Sequence, residues 1–218
     1  MKSVLAFGDS NTWGLIPGSK NNERYPFDVR WTGILQNSCR SVRIIEEGLC
    51  GRTTASEDEM KPGRNGVSTL PMILKRNNPL DAVILMLGTN DCKSAFHASP
   101  EKIGKGIELC LDEIEEYLLP CEILLVSPVV LGEDVWKPEK DPEFGKESAP
   151  ISCALKEEYR KIARKRGTAF QQMPWSGRRN LTAAFPLLRQ AFSLFPRSSY
   201  IQMEIYPSTT GSIGLHYY

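Results

Sequence analysis

The sequence predicts a three-layer α/β/α domain built on a parallel, flavodoxin-like sheet of about five strands. Short apolar runs rich in Val, Ile and Leu alternate along the chain with segments of helical periodicity. Two of these runs, VLAF and AVILML, lack polar alternation, which is typical of central parallel strands covered on both faces. Strand–helix alternation of this kind implies parallel strands joined by right-handed crossovers. The predicted strands are residues 4–7, 42–45, 82–87, 123–126 and 168–171.

Two helices between these strands have clear signals. Ser99 and Pro100 form an N-cap followed by proline at the first helical position. Apolar residues then recur every three or four positions as one buried stripe: Ile103, Ile107, Leu111, Ile114 and Leu118. A second helix is predicted over about 151–166, with Gly167 as its C-cap residue. Its apolar face consists of Ile151, Leu155, Tyr159 and Ile162.

Composition excludes several classes of partner. The 218 residues suit one domain, and 27 basic against 26 acidic residues leave no strong field to attract nucleic acid or anionic lipid. No apolar run reaches membrane-spanning length, and the first residues are too short an apolar stretch for a secretory signal. Six cysteines are scattered without a C-x-x-C pair, so we expect reduced thiols and no metal site. We therefore expect a cytoplasmic protein that binds neither nucleic acid nor membranes.

Three polar segments directly follow predicted strands, at the sheet edge where ligands bind in such folds. Ser10 in FGDSN is either a nucleophile or an ordinary N-cap serine. Gly48 and Gly51 in EEGLCGRTT either bring backbone close to a ligand or form an ordinary turn. Asn90 in GTND either donates to a developing oxyanion or closes the strand with an Asx-turn. No G-x-G-x-x-G or Walker lysine supports nucleotide binding.

Taken together and in this order, FGDSN, GLCGRTT and GTND resemble the first three signature blocks of the SGNH, or GDSL, hydrolase superfamily. The stretches RYPFDVRWTGILQ and IEEGLCGRTT are most similar to its bacterial arylesterase-like branch, and the resemblance covers about residues 1–170. It implies the SGNH hydrolase fold and a carboxylic ester hydrolase. Ser10 would be the nucleophile and its N–H one oxyanion donor, with the Gly51 N–H and the Asn90 side chain as the others.

The resemblance also implies supporting roles. Asp9 and Asp91 would brace the loops through hydrogen bonds to backbone amides. Trp13 and Arg52 would line the pocket mouth, although Trp13 could equally be a core residue. The expected substrate is a small acyl or aryl ester, acetylated sugars included, and the chemistry implies no metal or cofactor. A homo-oligomer is expected only by analogy.

The family's base comes from a final Asp-x-x-His block, and this sequence contains no such motif. Its two histidines are His97, which fits a solvent-exposed loop better than a base, and His216, which has Ile213 where the aspartate should be. His216 is the candidate base. Cys50 and Cys92 also lack a plausible base partner, which argues against a thiol enzyme.

The amino-acid composition of the sequence changes after residue 170. We therefore divide the chain into an SGNH hydrolase-like domain, 1–170, and an atypical tail, 171–218, which contains no lysine or aspartate. One hypothesis is that a shifted reading frame produced this tail and removed the final block. The sequence thus predicts a serine esterase impaired by loss of the Asp-His pair. The alternative is a catalytically inactive relative that binds esters or carbohydrates.

Overall fold

A computed structural model describes residues 1–19, 21–118 and 120–173. Its five strands are β1 Lys2–Gly8, β2 Val42–Gly48, β3 Ala82–Met86, β4 Glu122–Ser127 and β5 Ala169–Gln172. The α-helices of this part of the chain are α1 Ser10–Trp13, α2 Trp31–Ser38, α3 Gly66–Asn77, α4 Pro100–Leu118 and α5 Ser148–Arg166. Two 3₁₀ turns, Asn90–Cys92 and Ser94–Phe96, join β3 to α4.

The strands form one parallel sheet in the order β2-β1-β3-β4-β5. This order is flavodoxin-like and reverses direction between β1 and β3, the position where such sheets bind ligands. Gly8 is paired with Gly48 on one side and with Met86 on the other. Three strands therefore end level with one another, and the loops that follow them begin at the same edge.

Alternating strand residues supply two cores, one on each face of the sheet. Leu5, Phe7 and Leu85 belong to the core that packs against α3, α4 and α5. Val4 and Ile84 belong to the other core, which includes α2. Helices thus lie on both faces, and the predicted three-layer α/β/α class is confirmed.

Most predicted elements agree with the structure to within a few residues. The Ser99 hydroxyl accepts a hydrogen bond from the Lys102 N–H at 3.3 Å, and the whole apolar stripe of α4 is buried. Gly167 ends α5 in the left-handed conformation with φ of 68°. Helix α5 begins three residues before its predicted start because Ser148, at its first position, is buried and bonded to both neighbouring loops. Only residues 171–173 of the predicted tail are described, and β5 ends among them.

Candidate active site

Ser10 lies at the carboxyl end of β1, as the first residue of the four-residue helix α1. Asp9 caps this helix, since its carboxylate accepts hydrogen bonds from the Asn11 N–H at 2.8 Å and the Asn11 side chain at 3.0 Å. Ser10 is half-buried, and neither its hydroxyl nor its N–H has a hydrogen-bond partner among the described residues. As far as the described residues are concerned, both groups are therefore free to bind a ligand.

Glycine at the ends of β1 and β2 lets the Ser10 turn lie directly on the strand ends. A Cβ atom at Gly8 would lie 2.1 Å from the Thr12 hydroxyl oxygen, and one at Gly48 would lie 2.2 Å from the backbone nitrogen of Trp13. Any larger residue at either place would lift α1 away from the sheet. The two glycines thus set the height of Ser10 above the strand ends.

Gly51 lies in a tight turn three residues beyond the end of β2. The Arg52 N–H donates to the Leu49 carbonyl oxygen at 3.0 Å, and Gly51 has a φ of +83°, which glycine adopts without strain. The Gly51 N–H has no acceptor in the parts of the chain that the structure describes. The turn therefore offers a second unpaired backbone donor.

Asn90 is buried just beyond the end of β3. Its side-chain amide donates a hydrogen bond to the Arg52 carbonyl oxygen at 3.0 Å. An amide nitrogen carries two hydrogens, so this bond fixes the orientation of the side chain and leaves one donor for a ligand.

Hydrogen bonds join the three loops at this edge of the sheet. The Leu49 N–H donates to the Gly8 carbonyl oxygen at 3.1 Å, and the Asn11 side chain lies 3.5 Å from the Thr89 hydroxyl oxygen. Together with the Asn90 bond, these contacts connect each loop to the other two. The structure thus brings the loops of all three predicted catalytic residues together.

Two buried carboxylates support these loops. Asp91 accepts hydrogen bonds from the Thr54 N–H at 2.9 and 3.1 Å and from the Thr54 hydroxyl at 2.7 Å. Burial raises the pKa of Asp91 to about 6, against these hydrogen bonds, which lower it. Burial also raises the pKa of Asp9, and the Asn11 backbone bond opposes that rise. Both side chains make the amide contacts that a bracing role requires.

Arg52 does not lie at the pocket mouth, where the resemblance led us to expect it. Its guanidinium is buried, its Nη1 donates to the carbonyl oxygens of Gly8, at 2.8 Å, and Glu47, and its charge lies 4.1 Å from the centre of the Phe7 ring. Burial lowers the pKa of Arg52 to about 10, which leaves it protonated at neutral pH. Carbonyl oxygens at two strand ends accept from Nη1, whereas Nε is buried without a hydrogen-bond partner among the described residues. The side chain thus folds beneath the loops instead of reaching solvent.

Trp13 is half-buried and belongs to neither core of the described chain. The guanidinium of Arg24 lies 5.1 Å from the centre of its ring, and Arg24 Nε donates to the Trp13 carbonyl oxygen at 2.5 Å. These contacts place Trp13 in the surface layer beside α1, and its contribution to a pocket stays a prediction.

The described residues supply no base for Ser10. His97 is exposed, in a left-handed turn with φ of 45°, and has no hydrogen bond to Ser10. His216 and Ile213 lie outside the described residues, as does nearly all of the predicted tail. The identity of the base therefore stays a prediction.

All six cysteines are free thiols. Burial raises the pKa of Cys92 to about 12 and also raises that of Cys50, so neither is an activated nucleophile. In residues 1–19, 21–118 and 120–173, no three metal-binding side chains come together, and no helix is long and apolar enough to cross a bilayer.

Sequence reasoning missed three residues that hold the loops of the candidate site. Thr54 binds Asp91, Tyr159 donates from α5 to the Leu87 carbonyl oxygen at 2.9 Å, and Arg64 donates to the Cys50 carbonyl oxygen at 2.8 Å. Thr54 stands inside the GRTT block and could have been found there. The other two come from distant segments, and no local pattern marks them.

Comparison with known proteins gives both a family and structural neighbours. Residues 6–198 match the model of the GDSL-like lipase/acylhydrolase family. A carbohydrate acetylesterase from Sinorhizobium meliloti has 36% identity and a TM-score of 0.70, over 79% of this chain and 84% of that one. An aryl esterase from M. smegmatis has 34% identity and a TM-score of 0.72, over 79% and 84%. A lipase/acylhydrolase from Enterococcus faecalis shares the fold at 17% identity, with a TM-score of 0.53 over 78% and 75%. No curated protein matches the sequence.

Proposed function

Because the chain belongs to the GDSL-like lipase/acylhydrolase family, as its three sequence blocks predict, we propose that it is a serine esterase acting on small acyl or aryl esters. Neighbours described as an aryl esterase and a carbohydrate acetylesterase support this substrate class, acetylated sugars included. One observation carries the proposal. The hydroxyl and N–H of Ser10 and the N–H of Gly51 have no described partner, although Asn90 and the loops around them are tightly hydrogen-bonded.

In the proposed mechanism the Ser10 oxygen attacks the ester carbonyl while a base accepts its proton. The Ser10 N–H, the Gly51 N–H and the second amide hydrogen of Asn90 donate to the resulting oxyanion. The tetrahedral intermediate then expels the alcohol, which takes the proton from the base, and leaves an acyl ester on Ser10. Water hydrolyses this ester by the same sequence of proton transfers.

His216 is the proposed base, and the absence of Asp-x-x-His favours an impaired enzyme. Loss of the aspartate from a serine triad costs about 10⁴ in kcat, whereas an oxyanion hole without the triad retains roughly 10³ to 10⁴ over water. The same absence favours the second candidate function, an inactive relative that binds esters or carbohydrates.

Hydrolysis of 4-nitrophenyl acetate by the wild type, Ser10→Ala and His216→Ala tests the proposal. Ser68→Ala is the matched control, because Ser68 is exposed on α3 and makes no side-chain contact with the site. Removal of a whole serine triad costs about 10⁶ in kcat, of which the missing aspartate already accounts for about 10⁴. The proposal therefore predicts that Ser10→Ala loses about 10²-fold in kcat and that Ser68→Ala keeps it.

A similar loss in His216→Ala supports a Ser10–His216 pair. Equal rates in the wild type and in Ser10→Ala would rule out the esterase. Retained binding of acetylated sugars in that case would establish the binding relative.

A further inference from the structure

Arg64 is the residue that contacts the peptide bond of the proposed Gly51 donor. It lies at the far end of the loop that follows β2, two residues before α3 begins. Its backbone is held in that loop, because the Arg64 carbonyl oxygen accepts hydrogen bonds from the Thr53 N–H at 2.9 Å and the Thr53 hydroxyl at 3.3 Å. From this fixed position Arg64 Nε donates to the Cys50 carbonyl oxygen at 2.8 Å.

The turn that Arg64 contacts is of a kind whose central peptide has two orientations. Residues 49–52 form a β-turn in which Gly51 has φ of +83° and Cys50 is not among the residues with positive φ. This is the pattern of a type II turn. A type I turn uses the same four residues but has its central peptide, here Cys50–Gly51, reversed. Glycine tolerates both forms, so the residue alone does not fix the orientation.

The hydrogen bond from Arg64 Nε to the Cys50 carbonyl oxygen fixes the orientation of this peptide. The Cys50–Gly51 peptide is planar and trans, so its C=O and N–H point in opposite directions. A donor that holds the Cys50 oxygen on one side holds the Gly51 N–H on the other. Reversal of the peptide would break the 2.8 Å bond and turn the N–H towards the guanidinium.

The charge of Arg64 adds to this effect. Arg64 forms no ion pair with a carboxylate in the described chain, although it is only half-exposed. A cation that donates to a carbonyl oxygen polarises the peptide and strengthens its N–H as a donor. The unpaired charge also favours negative charge developing nearby.

We propose that Arg64 is a positioning residue that holds the Cys50–Gly51 peptide with its N–H ready to donate to the oxyanion. The inference rests on the proposed function and concerns the orientation of one donor. Steric contact between Gly51 and Arg64 does not set this orientation, because a Cβ atom at Gly51 would lie at an ordinary contact distance of 3.6 Å from Arg64 Nε. Arg64 therefore controls the orientation of the Cys50–Gly51 peptide and does not act by steric contact with Gly51.

The kinetic test compares Arg64→Met and Arg64→Lys with Arg40→Met, a change at an exposed arginine before β2, at the opposite edge of the sheet. We expect Arg64→Met to lower kcat for 4-nitrophenyl acetate roughly 10- to 100-fold, less than removal of a donor, with KM changed little. Arg64→Lys keeps the charge without the rigid Nε donor and should fall between Arg64→Met and the wild type. Unchanged kcat in a folded Arg64→Met protein would overturn the inference. If the Met variant does not fold, unchanged kcat in Arg64→Lys would overturn it instead.

A second readout does not depend on turnover. Cys50–Gly51 is the sole Cys–Gly sequence in the chain, so labelling with ¹³C-carbonyl cysteine and ¹⁵N glycine gives one peptide resonance in a carbonyl-correlated NMR experiment. We expect the Cys50 carbonyl and Gly51 amide shifts to move in both Arg64 variants and to stay in Arg40→Met. If the wild type is no faster than Ser10→Ala, the proposed function fails, and this resonance alone decides the orientation. Unmoved shifts would then refute the role of Arg64.

Discussion

At the scale of single residues, Asp91 is expected to make the stability of the folded protein depend on pH. Its carboxylate is buried beneath the Asn90 loop, and its pKa rises from the ordinary 3.8 to about 6. Between these values the folded protein binds more protons than the unfolded chain. The stability that Asp91 contributes is therefore complete below about pH 4 and is lost as the pH rises through 6.

An Asp91→Asn variant does not titrate and isolates this effect. One pKa unit corresponds to about 1.4 kcal/mol, so the wild type should lose about 2–3 kcal/mol of unfolding free energy relative to the variant between pH 4 and pH 7. Urea denaturation at each pH measures the difference. Asp28→Asn, at an exposed aspartate, is the control and should follow the wild type. Parallel stability curves for Asp91→Asn and the wild type would contradict the prediction.

The residues at the site differ in how far the sequence could place them. Ser10, Gly51 and Asn90 follow strand ends directly, and parallel pairing of Gly8 with Gly48 and Met86 brings such positions to one edge. Their place was therefore implied once the strands were recognised. The burial of Arg52 was not, because carbonyl oxygens from two separate strands determine where its side chain points.

At the scale of elements, helix α5 holds the turn that carries Asn90. Tyr159 is fully buried on this helix, and a Cβ atom at Gly88 would lie only 2.3 Å from its hydroxyl oxygen. Burial raises the pKa of Tyr159 well above 10, so the hydroxyl remains a donor to the Leu87 carbonyl at any working pH. The helix thus packs against the turn and also satisfies its backbone.

Replacement of this tyrosine tests the element's role. Tyr159→Phe leaves the buried Leu87 carbonyl without its partner and should cost about 1–2 kcal/mol of unfolding free energy. It should also lower kcat, by less than the roughly 10²-fold that loss of an oxyanion donor causes. Tyr117→Phe on α4 is the matched control, since Tyr117 is 45% exposed. Equal stability and kcat in the two variants would show that α5 acts through packing alone.

Hydrophobic periodicity predicted the presence of a helix better than it predicted the residues at which the helix begins and ends. The stripe of α4 repeats over about four turns and could be recognised, whereas α2 has only eight residues and α3 contains Pro71. The start of α5 at Ser148 depends on bonds to Gly145 N–H and the Cys92 carbonyl oxygen, the second from another loop. Such contacts are tertiary, and a window of local sequence does not contain them.

At the scale of the whole molecule, one carboxylate joins the loops that leave β2, β3 and β4. Glu143 accepts from Lys61 at 2.9 Å and from Lys93 at 2.6 Å, and these lysines stand 82 and 50 residues away. Both hydrogen bonds lower the pKa of Glu143, so it remains ionised at neutral pH. A backbone bridge between Lys93 and Phe144 and the Ser94 N–H bond to the Glu143 carbonyl oxygen at 3.0 Å reinforce the junction.

Glu143→Gln should affect both stability and catalysis because its partners differ in exposure. The Lys93 side chain is 9% exposed and would keep a nearly buried charge without its carboxylate, whereas Lys61 is 44% exposed and can turn to solvent. Loss of a partner from a fully buried pair costs about 3–5 kcal/mol, and the 47% exposure of Glu143 reduces our expectation to about 1–2 kcal/mol. Glu157→Gln, which removes an exposed pair with Arg160 within α5, should cost less than about 0.5 kcal/mol. Two of these loops leave β2 and β3, the strands on either side of β1, which ends beside Ser10. We therefore also expect a higher KM in Glu143→Gln alone, measured with the same ester. Indistinguishable urea midpoints and KM values for the two glutamine variants would mean that the junction contributes nothing to the molecule beyond an ordinary surface ion pair.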